Sequence, residues 1–160
     1  MEPEQVISVH DGSTTYHVPL LLEKQNLLGI LCEYLDLQLD RAHPHVEQGK
    51  RMWDNWVYLV RSQDTIIDTI SIALVGKYTS NKDAYLSVSK SIEHAAMYCH
   101  KKVRIIWIDA AHLEEETYRT SAVKYHKAWH DLCSVKGIVV PGGFGTHATG
   151  GMIRAITWAR

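Results

Sequence analysis

The chain has 160 residues, 46% apolar and 22% charged, and a formal net charge of −1 with its ten histidines neutral. This is a globular composition, so a disordered polymer is excluded, and no basic surplus favours nucleic acid. No run approaches the ~18 apolar residues of a membrane span, and the acidic start Met1-Glu2-Pro3-Glu4-Gln5 is unlike a secretory leader. Cys32, Cys99 and Cys133 are odd in number, far apart and without a C-x-x-C pair. They suggest neither a zinc knuckle nor a disulfide scaffold, and a reducing, cytoplasmic setting fits them best.

In chain order, Val6, Ile7 and Val9 predict a short strand over residues 5–9, followed by a polar turn over 10–16. Residues 20–37 carry leucines at helical spacing, too dense for a simple surface helix, and predict a helix that either packs on both sides or is broken near Gln25-Asn26. Residues 40–49, with His43-Pro44-His45 and Gln48-Gly49, read as a linker or boundary. Helical periodicity returns over 52–61, where Trp53, Trp56, Val57 and Val60 share a face that reads as a packing stripe.

The pattern then becomes regular. Residues 70–75 are a continuous apolar run with one serine, the signature of a strand buried on both faces. A loop follows, with Asn81 or Ser80 as N-cap and Asp83 placed to suit the helix dipole. Residues 84–99 predict an amphipathic helix, and 103–108 a β-branched second strand ended by Asp109. A polar stretch through Glu114-Glu115-Glu116 leads to a second helix over 123–133 and a third strand over 137–140. After a glycine-rich loop, residues 149–160 read as helix. The succession β-α-β-α-β-loop-α predicts an α/β fold with a parallel sheet and right-handed crossovers, hence three layers.

Chemistry points to the loop Pro141-Gly142-Gly143-Phe144-Gly145. A strand that empties into glycines and then a helix leaves bare N–H groups at the carboxyl end of a sheet, where open α/β sheets bind ligands. Three readings stay open: a ligand-free turn, an oxyanion or substrate loop, and a phosphate cradle. Gly143-Phe144-Gly145-Thr146-His147-Ala148 matches the loose G-x-G-x-x-A fingerprint, but it follows the third strand rather than the first. Gly76-Lys77 is no Walker A loop, since Ser71 stands at the upstream glycine position and Tyr78 follows the lysine. The three cysteines sit in helix-like contexts without flanking glycines, so none reads as a nucleophile. His126 and His130 have i, i+4 zinc spacing but no third ligand, and a surface helix face explains them better.

The residues Ser71-Ile72-Ala73-Leu74-Val75-Gly76-Lys77-Tyr78, Asp83-Ala84-Tyr85-Leu86-Ser87-Val88, Glu93-His94-Ala95-Ala96 and Tyr125-His126-Lys127-Ala128-Trp129 resemble, in order and spacing, the glutaminase domain of the CTP synthase family. The 140–145 loop continues the match. Gln5-Val6-Ile7-Ser8-Val9-His10-Asp11 and Tyr16-His17-Val18-Pro19-Leu20-Leu21-Leu22 resemble the end of its synthetase domain. The resemblance is read as nearest to the animal-type enzymes. It implies a synthetase-domain tail over 1–42, a linker with a Trp-bearing helix over 43–69, and the first half of a class I glutaminase domain over 70–160. The implied fold is an incomplete three-layer doubly wound sheet.

The family is a glutamine-hydrolysing ligase that aminates UTP to CTP with ATP and magnesium, under GTP activation. It implies glutamine, UTP and ATP as partners, and assembly into homotetramers and filaments. By resemblance, Gly142, Gly143 and Phe144 bind substrate and contribute an oxyanion-hole N–H, and His10, Asp11 and Gly12 contact the ATP adenine. Gly12 departs from the family's usual valine or isoleucine. So do His147, Ala148 and Gly150, which replace an arginine, a glycine and a glutamate in the lid tied to GTP activation. The family's nucleophile elbow G-x-C-x-G and its His and Glu are expected beyond Arg160, so no catalytic or metal-binding residue is assigned here. The chain by itself is expected to be inactive and to bind these nucleotides poorly, with a non-catalytic modulator of intact CTP synthase as the alternative.

Overall fold

The central strand follows from the apolar run Thr69–Gly76, which forms β1 and becomes progressively more buried toward its carboxyl end. It pairs in parallel with β2 (Lys102–Asp109) on one side and with β3 (Gly137–Val139) on the other, giving the order β2-β1-β3. The computed structural model describes residue 3 and residues 6–38 and 44–160. Two compact units are present, Met1–Thr65 and Ile66–Arg160.

Register sorts the sheet residues of the second unit onto two faces. Ala73 pairs with Ile106 and Ile138, and Val75 with Ile108, so these share one face. They pack with Ala128 and Leu132 of α6 (Ala122–Cys133) and Ala155 of α7 (Thr149–Ala159). Leu74 pairs with Trp107 on the opposite face, where Tyr85 meets the Trp107 ring at 6.2 Å, just ahead of α4 (Leu86–Tyr98). The crossovers from β1 to β2 and from β2 to β3 run in opposite directions, which right-handed connections convert into helices on both faces. Leu74, Ile108 and Leu132 are essentially inaccessible to solvent, each contributing about 1.5–3 kcal/mol of burial. The expected three-layer parallel α/β arrangement is present.

The stretch expected to be merely polar is organised. Residues Ala110–Leu113 form a 3-10 turn, capped by the Asp109 carboxylate accepting from the Ala111 N–H at 3.0 Å. Ala110 and Leu113 are fully buried, and the short helix α5 (Glu115–Thr120) follows. The glutamates hid two core residues. Asn81 caps the 3-10 turn Lys82–Tyr85 ahead of α4, as its position suggested, by accepting from the Asp83 N–H.

In the first unit, α1 (Val18–Lys24) and α2 (Leu27–Tyr34) are separated at Gln25-Asn26, where Asn26 is left-handed with φ 54°. Of the two readings of this run, the broken helix is the one that forms. No strand forms at Val6–Val9 (residue 5 lies outside the described residues), and a side chain supplies the reason. The Gln25 amide accepts from the Ser8 N–H and donates to the Ser8 carbonyl, both at 2.8 Å, supplying from a side chain the bond pair that a neighbouring strand would give. Residues 44–49 are helical rather than irregular: the long helix α3 (Pro44–Thr65) starts at the proline, which suits a first helical position. Residues 40–43 of the proposed boundary lie outside the described residues. Trp56 donates to the Tyr16 carbonyl at 3.1 Å and packs on the Tyr16 ring at 6.0 Å, so the tryptophan stripe serves packing. Among the described residues no helix is long and apolar enough to cross a membrane.

Candidate functional site

β1 and β3 end side by side, and the loop after β3 folds over the residues that follow β1. Lys77 is the key to its shape. Only 6% exposed, its ammonium donates to the carbonyls of Gly143 and Phe144, both at 3.4 Å, to that of Gly145, and to Thr149 Oγ1 at 3.1 Å. An ammonium has three protons for these four acceptors. The Gly145 and Thr149 bonds are the close pair, and the two longer ones share the remaining proton.

Two tyrosines complete the framework. The Tyr85 hydroxyl accepts from the Lys77 N–H at 2.9 Å and more weakly from that of Tyr78 at 3.4 Å, while the Tyr78 hydroxyl donates to the Phe144 carbonyl at 3.4 Å. A Cβ on Gly76 would lie 2.5 Å from the Tyr85 oxygen, so glycine there is what lets the ring lie against the strand end.

In a trans peptide the C=O and the following N–H point in opposite directions. With the carbonyls of Gly143, Phe144 and Gly145 turned to Lys77, the N–H groups of Phe144, Gly145 and Thr146 point away from it. Among the described residues, no acceptor takes these N–H groups or those of Gly142 and Gly143. Gly142, Gly143 and Phe144 line an open cavity of about 520 Å³ together with Tyr78, Ala84 and Tyr85. The Phe144 side chain is 92% exposed at its rim. This is a pocket walled by aromatic rings and bare main chain, suited to a small polar molecule held by backbone donors.

The helix behind the loop is closed to phosphate. Glu114 accepts from the Gly151 N–H at 3.0 Å, so a carboxylate already occupies the amino end of α7. A dinucleotide pyrophosphate would need those donors and would meet that charge, which argues against the G-x-G-x-x-A reading. Ala148 is buried with φ 55°, a left-handed conformation in which glycine is unstrained. The resemblance puts a glycine there, and the backbone supplies the reason.

The other nominated residues belong to the first unit. His10 and Gly12 line a cavity of about 210 Å³ with Ser13, Thr14, His17, Val18, Leu20, Leu21 and Lys24; Asp11 is exposed and is not among the lining residues. That volume falls below the ~300–1,000 Å³ of pockets that enclose whole ligands. Among the described residues no group of three or more His, Cys, Asp or Glu could hold a metal ion, and no residue is assigned to magnesium. His126 lies edge-on to Tyr118 and Tyr125, at 5.7 and 5.5 Å. Cys32 lies in α2, while Cys99 and Cys133 are exposed at the ends of α4 and α6; no cysteine lines the 520 Å³ cavity. Sequence reasoning passed over Lys77, Tyr78 and Tyr85 as site residues. The available signal was a lysine set directly behind a buried strand and opposite a loop of glycines.

Comparisons with known proteins bear on this site. The family described as glutamine amidotransferase class-I matches residues 81–160, half of the chain. CTP synthase of Neurospora crassa is 51% identical over 161 residues, covering 100% of this chain and 28% of that protein. CTP synthase 1 of Homo sapiens is 47% identical over 160 residues, covering 100% of this chain and 26% of that protein. The fungal sequence is thus more similar than the human one, against the expected animal affinity. A solved structure described as Trypanosoma brucei CTPS, glutaminase domain with bound acivicin, aligns with TM-score 0.45 and 29% identity over 56% of this chain and 33% of that one. The chain spans little more than a quarter of the length of its CTP synthase relatives. With its parallel sheet, the glycine loop at the carboxyl ends of β1 and β3, and a matching half-chain, it belongs to the class I glutamine amidotransferase family.

Proposed function

We propose that this chain is a segment of a CTP synthase and that its glycine loop is the glutamine-binding, oxyanion-stabilising part of the glutaminase site. In this reading the glutamine carboxamide enters the cavity beside Gly142, Gly143 and Phe144. Loop N–H groups then take up the negative charge that develops on its oxygen, and the ammonia released serves the ATP-dependent amination of UTP. The observation that carries the reading is the set of loop N–H groups without partners among the described residues, beside an open cavity. A preorganised donor aimed at developing charge is worth about a hundredfold or more in rate.

The nucleophile is the part the loop cannot supply. The three cysteines lie on or at the ends of helices, so the 160-residue polypeptide by itself releases no ammonia from glutamine above a protein-free blank. The positive test exchanges residues 1–160 for the matched segment of Neurospora crassa CTP synthase. The exchanged enzyme makes CTP from glutamine, with a weaker response to GTP because His147 and Gly150 replace charged lid residues. An exchanged enzyme that makes CTP from ammonium salts but none from glutamine overturns the reading.

A further inference from the structure

Lys77 has no catalytic assignment, yet it is the buried cation among the described residues. A buried ammonium has to replace its water with other oxygens. Here none of its hydrogen-bond partners is a carboxylate: they are three successive main-chain carbonyls, those of Gly143, Phe144 and Gly145, and the Thr149 hydroxyl at the first turn of α7. Loop carbonyls have no reason of their own to face inward in series. A loop of three glycines in four residues has the backbone freedom to turn any of these peptides over. The position of Lys77 is itself fixed, because its N–H is held by the buried Tyr85 hydroxyl and its stem lies 3.2 Å from where a Gly143 Cβ would be.

We propose that Lys77 is a positioning residue for the donor loop: its ammonium holds three consecutive carbonyls and thereby turns the N–H groups of Phe144, Gly145 and Thr146 outward. The cation has a second effect on the same peptides. A positive charge at a carbonyl oxygen polarises the amide and strengthens its N–H as a donor. Lys77 touches no substrate; it sets the direction and strength of the groups that do. The use of these donors rests on the glutamine reading given above, whereas the orientation of the loop does not.

The test separates the two. In the 160-residue chain labelled with 15N, the wild-type loop amides 143–146 are expected in the rigid range, with order parameters near ~0.85. Lys77→Met keeps the stem and removes the charge, and the loop values then fall below about 0.6 while β1 and α4 stay rigid. Unchanged loop order in Lys77→Met overturns the proposal. If that variant fails to fold, the wild type decides: a slowly exchanging Lys77 ammonium resonance with cross-peaks to the 143–146 loop supports the latch, and its absence overturns it. In the exchanged Neurospora enzyme, Lys77→Met is read as the ratio of glutamine-dependent to ammonia-dependent CTP formation. That ratio falls about a hundredfold through kcat, in line with loss of one oriented donor. An unchanged ratio overturns the positioning role. An exchanged enzyme with Lys77 intact that cannot use glutamine overturns the glutamine reading instead.

Discussion

Replacing Tyr85 by phenylalanine tests the framework behind the loop with the smallest change. The ring stays, including its packing on Trp107 at 6.2 Å, and only the hydroxyl is lost. That oxygen accepts from the Lys77 N–H at 2.9 Å in a place where Lys77 is 6% exposed and Tyr85 5%. Water does not reach the orphaned N–H, so the cost is that of an unsatisfied buried donor, ~1–3 kcal/mol. The weaker bond from Tyr78 at 3.4 Å adds little, because that N–H is less enclosed. We expect Tyr85→Phe to lose about 2 kcal/mol by urea denaturation with an unchanged m-value. In a unit of this size that lowers Tm by roughly 8–16 °C. Native-state hydrogen exchange at the Lys77 amide should accelerate along with it. A variant whose midpoint matches the wild type would refute the claim that this hydroxyl is a required acceptor.

Other outcomes follow from neighbouring contacts. Gly76→Ala places a Cβ 2.5 Å from the Tyr85 oxygen and 2.7 Å from Cζ, and should cost about 1–3 kcal/mol in denaturant melts. Its cost should shrink in the Tyr85→Phe background, since the two changes disturb one contact. Gly151→Ala is more severe: its Cβ would fall 1.7 Å from the Ala110 carbonyl oxygen, which side-chain rotation cannot relieve, so α7 must lift. We expect a loss of ~3 kcal/mol or more, seen as a collapse of the cooperative transition. Glu114→Ala removes the carboxylate from the Gly151 N–H at 3.0 Å, and should cost about 1 kcal/mol in urea melts.

A pH effect is expected at the edge of the sheet. Lys101 hydrogen-bonds the Asp68 carboxylate and holds its pKa below the usual value. A carboxyl whose folded pKa is depressed adds stability above its unfolded pKa, and that contribution disappears as pH falls through the folded value. Asp68→Asn should therefore lose that group's share of the acid-limb slope and show a shallower fall in stability as pH drops through this window. Identical slopes in variant and wild type would contradict this.

The elements with strong periodicity were legible in the residues. The run from Ile70 to Val75 could only be a strand buried on two faces, and Asn81 with Asp83 announced the turn before α4. The density of leucines over residues 20–37 left a break at Gln25-Asn26 as one of two readings, and the left-handed Asn26 decides for it. Where reading failed, a partner distant in sequence had intervened. Val6 to Val9 look like a strand in isolation, yet Gln25, seventeen residues on, takes the Ser8 hydrogen bonds. The run Glu114-Glu115-Glu116 looks like a solvated stretch, but Leu113 just before it is in the core and Glu114 caps a helix 37 residues later.

The site divides in the same way. Glycines at 142, 143 and 145 behind a buried strand mark a loop of bare main chain from the sequence alone, which left a ligand-free turn and a ligand loop both open. Composition cannot say which way the peptides face. That was decided by Lys77, 66 residues from Gly143, and by Tyr85, which fixes the Lys77 backbone. Peptide direction depends on where a cation lies in space, and only the pairing of β1 with β3 brings that cation to the loop.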